Sequence, residues 1–243
     1  MIPLKDDVPS RGLPVVTVTL IALNALAFFY QVSLEMSGGG SAARGAFGAA
    51  EAFVYEFGVI PCRLTGSCPP MSLPAMVDDF PHPIVTIFTA MFLHGGFLHI
   101  AGNMLYLCIF GDNVEDTLGH GRFLVFYLGC GVVAAVAQTM AGPSSRIPMI
   151  GASGAVSGVL GAYLLLFPYA TILTLITFGF FVRFVRMPAV IVLGFWIVMQ
   201  FAYGYLGLGR GEDGGVAWFA HIGGFLAGVA LIFVLRPRQG HRF

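Results

Sequence analysis

Gly151-Ala152-Ser153-Gly154-Ala155-Val156-Ser157-Gly158 heads an apolar run that continues through Ala162, Tyr163, Leu164 and Phe167, so its serine opens a membrane helix instead of lying in an aqueous loop. Two readings compete for it. Gly-x-Ser-Gly suits a nucleophile, because glycines beside the serine let a substrate carbonyl approach without a Cβ in the way. The unpaired N–H groups and positive dipole end of a helix start suit an oxyanion. Alternatively, Gly151, Gly154, Gly158 and Gly161 step by three, four and three residues, a small-residue stripe for helix packing in lipid. The tetrapeptide alone favours packing, and residues elsewhere in the chain must decide.

The surrounding composition is that of a polytopic membrane protein. Of 243 residues, 57% are hydrophobic and 10% charged, against roughly 25% charged in a soluble domain. The mean hydropathy is +0.86. Twelve basic and twelve acidic residues balance, which gives no sign of a nucleic-acid partner. Six spans are expected, at Pro14–Val32, Leu98–Phe110, Phe123–Ala141, Ile150–Phe167, Met187–Leu208 and Val216–Leu235. The first is long enough to span and lacks a clear cleavage site, so it is expected to remain as an anchor. The fold class is therefore an all-α, six-transmembrane-helix bundle in one membrane domain over residues 1–243.

The connections divide by side. A long first loop, Ser33 to Pro83, is expected to be partly folded and membrane-lying. Ile84–Leu93 reads as a short interfacial or re-entrant helix, and Asp112, Glu115, Asp116, His120 and Arg122 as a polar turn. Thr171–Val182 reads as an apolar connector followed by Arg183 and Arg186, and Gly209–Gly215 as a flexible loop. With both termini on the inner side, that side carries Lys5, Arg11, Arg122, Arg183, Arg186, Arg236, Arg238 and Arg242. The other carries only Arg44, Arg63, Arg146 and Arg210, so the positive-inside rule places both termini in the cytoplasm. Of four cysteines, Cys108 and Cys130 lie in apolar runs. Cys62 and Cys68 share a polar loop and could pair in an oxidising compartment; their C-x5-C spacing matches no strong metal signature. No metal or cofactor is called for.

Polar residues in hydrocarbon are costly enough to invite a functional reading. His99 and Asn103, four apart, share a face of the second span; His221, Gly224 and Gly228 share a face of the sixth. Spans two, four and six run inward from the outer side. Ser153 and His221 lie seven and six residues past Arg146 and Gly215, both on the order of 10 Å deep at ~1.5 Å per residue. Glycine faces on spans four and six would let the helices pack closely enough for His221 to reach Ser153. Singly, each polar residue is better explained by packing; three odd placements at matched depth favour one site. No Asp or Glu lies inside a span, so the expectation is a Ser153–His221 dyad, with the Ser153 N–H, His99 and Asn103 holding the oxyanion.

His94-Gly-Gly-Phe-Leu-His99-Ile-Ala-Gly-Asn103, Gly151-Ala-Ser153-Gly154 and Ala220-His221-Ile-Gly-Gly224 with Gly228 together resemble the rhomboid family of intramembrane serine proteases. Gly111-Asp-Asn-Val-Glu115 before Gly119, and Arg122-Phe-Leu-Val-Phe-Tyr127, resemble its bacterial branch. The resemblance implies Ser153 as nucleophile, His221 as general base, and His99 and Asn103 as oxyanion supports. His94 is implied as a structural donor near the first loop, and Gly151, Gly154, Gly224 and Gly228 as structural glycines around the site. It further implies single-span membrane proteins as substrates, cut near the outer membrane edge, in a bacterial inner membrane. The chain departs from the family in lacking a first-loop tryptophan, its only two being Trp196 and Trp218. Two other classes fit the chain less well: an inactive relative that escorts membrane helices, against which both Ser153 and His221 are present, and a proton-coupled transporter, against which no acidic relay or inverted repeat is apparent.

Overall fold

The computed structural model describes residues 1–37, 48–68, 81–178, 181–207 and 216–237. Its elements run β1 (Ile2–Lys5), α1 (Val15–Ser37), α2 (Ala49–Phe57), α3 (Pro61–Thr65), α4 (Pro83–Thr89), a 3-10 turn (Ala90–Phe92), α5 (Phe97–Leu118), α6 (His120–Ala141), α7 (Ser153–Leu166), β2 (Thr171–Phe178), β3 (Phe181–Pro188), α8 (Ala189–Gly207) and α9 (Trp218–Leu235). Helices α1, α6, α8 and α9 are each long and apolar enough to cross a membrane. Helix α5 meets that test together with the α4 segment, from which it is bent by 83°, and α7 is a shorter apolar helix. The bend sets the Ile84–Leu93 region apart as a short helix separate from the span that follows.

Helix α7 sits at the centre. Every residue from Gly154 to Tyr163 is buried, which Gly154, Ala155, Gly158, Gly161 and Ala162 permit by letting neighbours close in on several sides. Its 14 residues cover about 21 Å, short of a hydrocarbon core about 30 Å thick. Against α9 the approach is backbone to backbone. A Cβ added at Gly224 would lie 2.0 Å from the Gly154 carbonyl oxygen, and one at Gly228 would lie 1.9 Å from that of Gly158. On the α6 side, a Cβ at Gly154 would meet that of Ala134 at 2.6 Å, and one at Gly158 would meet Cys130 Sγ at 2.4 Å.

Two expectations need correction at the end of α7 remote from Ser153. Asp112, Glu115 and Asp116 do not form a turn; they belong to α5, which continues to Leu118. Asp112 accepts from the N–H and Nδ2 of neighbouring Asn113, whereas Glu115 and Asp116 reach chain far away in sequence. Glu115 accepts from the Val16 and Thr17 N–H groups and the Thr17 hydroxyl, and meets His120 Nδ1 at 2.6 Å. It thereby caps the first turn of α1, where helix N–H groups have no intrahelical partner. Asp116 accepts from the Arg11 N–H and the Ser10 hydroxyl.

The Thr171–Val182 connector is instead β2 and the start of β3 in an antiparallel hairpin, and the fold adds a three-stranded sheet to the helices, ordered β1-β2-β3. Thr171 pairs with Pro188 and Phe178 with Phe181, while Ile2 and Lys5 pair with Leu175 and Leu173. Ile172 and Thr174 are buried on one face, the period of two that a strand imposes. Asp6 and Asp7, just beyond β1, tie the sheet to the bundle. Asp6 accepts hydrogen bonds from the Tyr163 hydroxyl of α7 and Asn113 Nδ2 of α5, and Asp7 accepts from the Thr171 N–H.

On the Ser153 side the first loop is partly folded, as expected. Phe53 of α2 packs edge-on against Tyr30 of α1 with ring centres 5.3 Å apart. Cys62 and Cys68 form a disulfide. The Gly209–Gly215 loop lies outside the described residues.

Burial raises the Asp6 carboxyl above its ordinary value, whereas hydrogen bonds from Thr171 lower that of Asp7. A carboxyl raised by folding favours the bound proton, so its contribution to stability is full below the ordinary carboxylate range and is lost as pH rises through it. Asp6→Asn keeps an oxygen acceptor for Tyr163 and Asn113 without the charge. In detergent, its melting temperature relative to wild type should therefore be higher at pH 7.5 than at pH 4.5. A difference independent of pH would show that Asp6 does not titrate in this range.

Candidate active site

Ser153 is the first residue of α7, and the chain reaches it through a braced approach. Val59 and Met149 exchange backbone hydrogen bonds of 3.0 and 2.7 Å, Cys62 N–H donates to Ser145 O, and Gly151 N–H donates to Ala90 O at 2.8 Å. Gly151 has φ of 125°, a conformation that side-chain-bearing residues rarely adopt. A Cβ there would also lie 2.8 Å from His99 Nε2. Gly151 thus turns the chain into α7 while admitting the His99 ring, and Gly154 gives α7 its seat against Ala134.

The sequence places Ser153 and His221 at equal depth, and the structure brings them into contact. His221 Nε2 lies 2.9 Å from Ser153 Oγ. One residue before His221, the Ala220 N–H is held by Gln138 Oε1 of α6 at 3.2 Å, a cap that fixes the start of α9. The rings of Trp196 and Trp218 stand 5.9 and 6.2 Å from that of His221. The tryptophans missing from the first loop therefore wall the histidine.

His99 and Asn103 face the same space. A cavity of about 730 Å³ is lined by Ser153, His221, His99, Asn103, Trp196 and neighbours from α5, α7, α8 and α9. His99 Nδ1 accepts from the Gly95 N–H at 3.2 Å, so in the neutral ring Nε2 carries the proton and is a donor. Asn103 is buried, and its Nδ2 has no hydrogen-bond partner among the described residues. An orphaned buried donor is costly; beside a serine in an open cavity it is positioned for an acceptor that arrives with a ligand.

His94 is buried, and its ring stands edge-on to His99 with centres 5.0 Å apart. Its backbone is what is held: the His94 N–H donates to Gln31 Oε1 at 3.0 Å, and Gln31 Nε2 donates to the His94 carbonyl at 3.3 Å. This clasp from α1 anchors the bend between α4 and α5.

Sequence reasoning also missed Gln200. It lies on α8, is 6% exposed, and places Oε1 2.8 Å from His221 Nδ1. The available signal was that it is the most polar residue of an otherwise apolar fifth span. Among the described residues, no group of three or more His, Cys, Asp or Glu could hold a metal ion.

A family model of the Rhomboid domain matches residues 81–238, which include every residue of this cavity. The chain belongs to the rhomboid family. Among relatives, it is 32% identical over 157 residues to RHOMBOID-like protein 5 of Arabidopsis thaliana, covering 64% of this chain and 46% of that protein. To Rhomboid protease GluP of Bacillus subtilis it is 31% identical over 223 residues, covering 91% of this chain and 36% of the other. To Putative rhomboid protease YdcA of the same species it is 35% identical over 78 residues, covering 32% of this chain and 39% of the other. The chain thus spans between about a third and a half of the relatives it matches. Bacterial, plant and mitochondrial rhomboids all appear among them, so similarity alone does not specify the membrane.

The contact between α7 and α9 should be as necessary to this rhomboid site as its polar atoms. Gly224→Val must displace Gly154 O, and a shift of about 1 Å can cost on the order of a hundredfold in rate. The variant should melt at a lower temperature in detergent and label more slowly at Ser153 with a fluorophosphonate. Wild-type melting and labelling together would show that glycine packing does not position His221.

Proposed function

We propose that this chain is an intramembrane serine endopeptidase that cuts the transmembrane segments of single-span membrane proteins. The observation carrying this reading is the 2.9 Å approach of His221 Nε2 to Ser153 Oγ at the head of a buried helix. Membership of a family that includes proteins named as proteases supports it.

In this reading His221 takes the Ser153 proton as Oγ attacks a peptide carbonyl carbon. Negative charge develops on the carbonyl oxygen, where the Ser153 N–H, His99 Nε2–H and Asn103 Nδ2–H can receive it. His221 then passes the proton to the leaving amine as the C–N bond breaks, leaving an ester on Ser153. A water, deprotonated by His221, attacks the ester, and the serine regains its proton as the acid product departs. Substrate enters from the bilayer and water from the aqueous side of the cavity. No cofactor takes part.

The same proposal has six crossings in a single membrane domain, with both termini cytoplasmic in a bacterial inner membrane. The Cys62–Cys68 disulfide supports the orientation, because it sits beside the loop leading to Ser153 and disulfides persist on the oxidising side. A protease added outside intact spheroplasts should leave a C-terminal tag uncut; removal of the tag would reverse the topology.

The direct test is cleavage of a panel of labelled single-span helices by purified protein in liposomes. Ser153→Ala and His221→Ala should each abolish cleavage without loss of fold, and the double variant should be no worse than either, since the two act as a unit. Additive losses, or cleavage surviving Ser153→Ala, would remove the dyad reading.

Asn103→Ala should lower kcat about a hundredfold, the effect of losing one oxyanion donor at ~3 kcal/mol. A raised KM with unchanged kcat would reassign Asn103 to substrate binding.

A further inference from the structure

The structure assigns to Gln200 the role of positioning residue for His221, so that the dyad acts as a Gln–His–Ser relay; this rests on the serine-protease reading above. A neutral imidazole carries one N–H, on either Nδ1 or Nε2. Only the form protonated at Nδ1 presents a lone pair at Nε2 to Ser153 Oγ. With no partner at Nδ1, the ring could hold its proton on Nε2 and offer Ser153 a donor where a base is required.

Two contacts decide which form is present. Gln200 Oε1 lies 2.8 Å from His221 Nδ1, and Gln200 Nε2 donates to the Trp196 carbonyl one helical turn back at 3.3 Å. Reversing the amide would set its carbonyl oxygen against the Trp196 carbonyl oxygen, two acceptors facing one another. The Trp196 carbonyl therefore orients the amide, the amide oxygen retains the proton on Nδ1, and Nε2 is left free to accept from Ser153. The chain of donors runs Ser153 Oγ–H to His221 Nε2, His221 Nδ1–H to Gln200 Oε1, and Gln200 Nε2–H to Trp196 O.

The surroundings make this partner hard to replace. Gln200 is nearly fully buried, and the Trp196 and Trp218 rings flank His221, leaving little room for water to take over as acceptor. An amide also differs from the carboxylate found in soluble serine triads. It orients the ring and stabilises the transient imidazolium through a dipole, without placing a full negative charge in the hydrocarbon, where charge is expensive.

The test compares wild type, Gln200→Met, Gln200→Glu, Ser153→Ala and His221→Ala in liposomes. It measures kcat, KM and pH–rate profiles on a labelled single-span helix, fluorophosphonate labelling, and melting temperature in detergent. Gln200→Met keeps the bulk and removes the acceptor, and should lower kcat by roughly a hundredfold, within the ~10⁴-fold reached when a triad histidine takes the wrong tautomer. KM should stay within about threefold, and fluorophosphonate labelling should slow in parallel. Gln200→Glu restores an acceptor for Nδ1–H and should recover at least a tenfold portion of that loss. Its carboxylate should also carry the acid limb of the pH–rate profile to higher pH than in wild type, a change that lost packing would not produce. Wild-type kcat and labelling in Gln200→Met would overturn the proposal, as would Gln200→Glu no more active than Gln200→Met with an unmoved acid limb. If Gln200→Met fails to fold, the Gln200→Glu profile decides alone. Inactive Ser153→Ala and His221→Ala beside a fully active Gln200→Met would refute the relay only, whereas cleavage surviving in Ser153→Ala would refute the serine reading beneath it.

Discussion

The bundle depends on one contact without side chains, the approach of α9 to α7 at Gly224 and Gly228. The Cα of each lies against a carbonyl of Gly154 or Gly158, so close that any Cβ would overlap it. In lipid, apolar side chains gain little by leaving hydrocarbon for one another's company, so helix association relies on close packing and polar contacts. This contact supplies both terms. Dense packing comes from the four glycines, and the hydrogen bond it permits, His221 to Ser153, lies at the same level. A larger residue at either glycine would weaken the fold and open the site through the same displacement.

At the other end of α7 a different physics applies. There the chain holds itself with charge-bearing hydrogen bonds: Asp6 to Tyr163 and Asn113, Asp7 to the start of β2, Asp116 to the Arg11 segment, and Glu115 to the first turn of α1. These bonds join α1, α5, α7 and the sheet. Helix α7 is therefore held at the end remote from Ser153 by ionisable groups and along its length by packing, and its serine end is left facing a cavity. That division suits a helix whose serine end must present a reactive group instead of burying it.

The polar members of the site were legible because hydrocarbon makes each of them conspicuous. His99, Asn103, Ser153 and His221 stand out from apolar runs, and helical spacing put each on an identifiable face and depth. Gln200 was equally polar but stood alone, with no neighbour at four-residue spacing to suggest a face. Its partner lies across the bundle on α9. The sheet was hidden for a related reason: Thr171 to Val182 reads as short and apolar with no decisive period, and β1, which completes the sheet, lies at the far end of the sequence. Glu115 and Asp116, like Asp112, suggested a turn because a carboxylate at a helix end normally seeks water, and for the first two the partner is remote. Each of those two meets N–H groups of another segment, which no local pattern reveals. Pairing of Cys62 with Cys68 was open from spacing and is resolved by the fold of α3.

In the proposed reaction two demands oppose one another, since water must reach the acyl ester while the base must keep its proton on the correct nitrogen. The two sides of His221 divide them. Nε2 and Ser153 Oγ border the cavity, which His99 and Asn103 also line, and Asn103 Nδ2 has no partner among the described residues. Nδ1 turns away from it toward Gln200, with Trp196 and Trp218 alongside. Water admitted on the first side can act on the ester; water on the second would compete with Gln200 for the proton and loosen the ring. The first-loop tryptophan absent from this chain has no bearing on that separation, whereas Trp196 carries it twice, through its ring against His221 and through the carbonyl that orients Gln200. The position of α8 relative to α9 consequently sets the chemistry as well as the shape of the cavity, because both Gln200 and Trp196 reach His221 from α8.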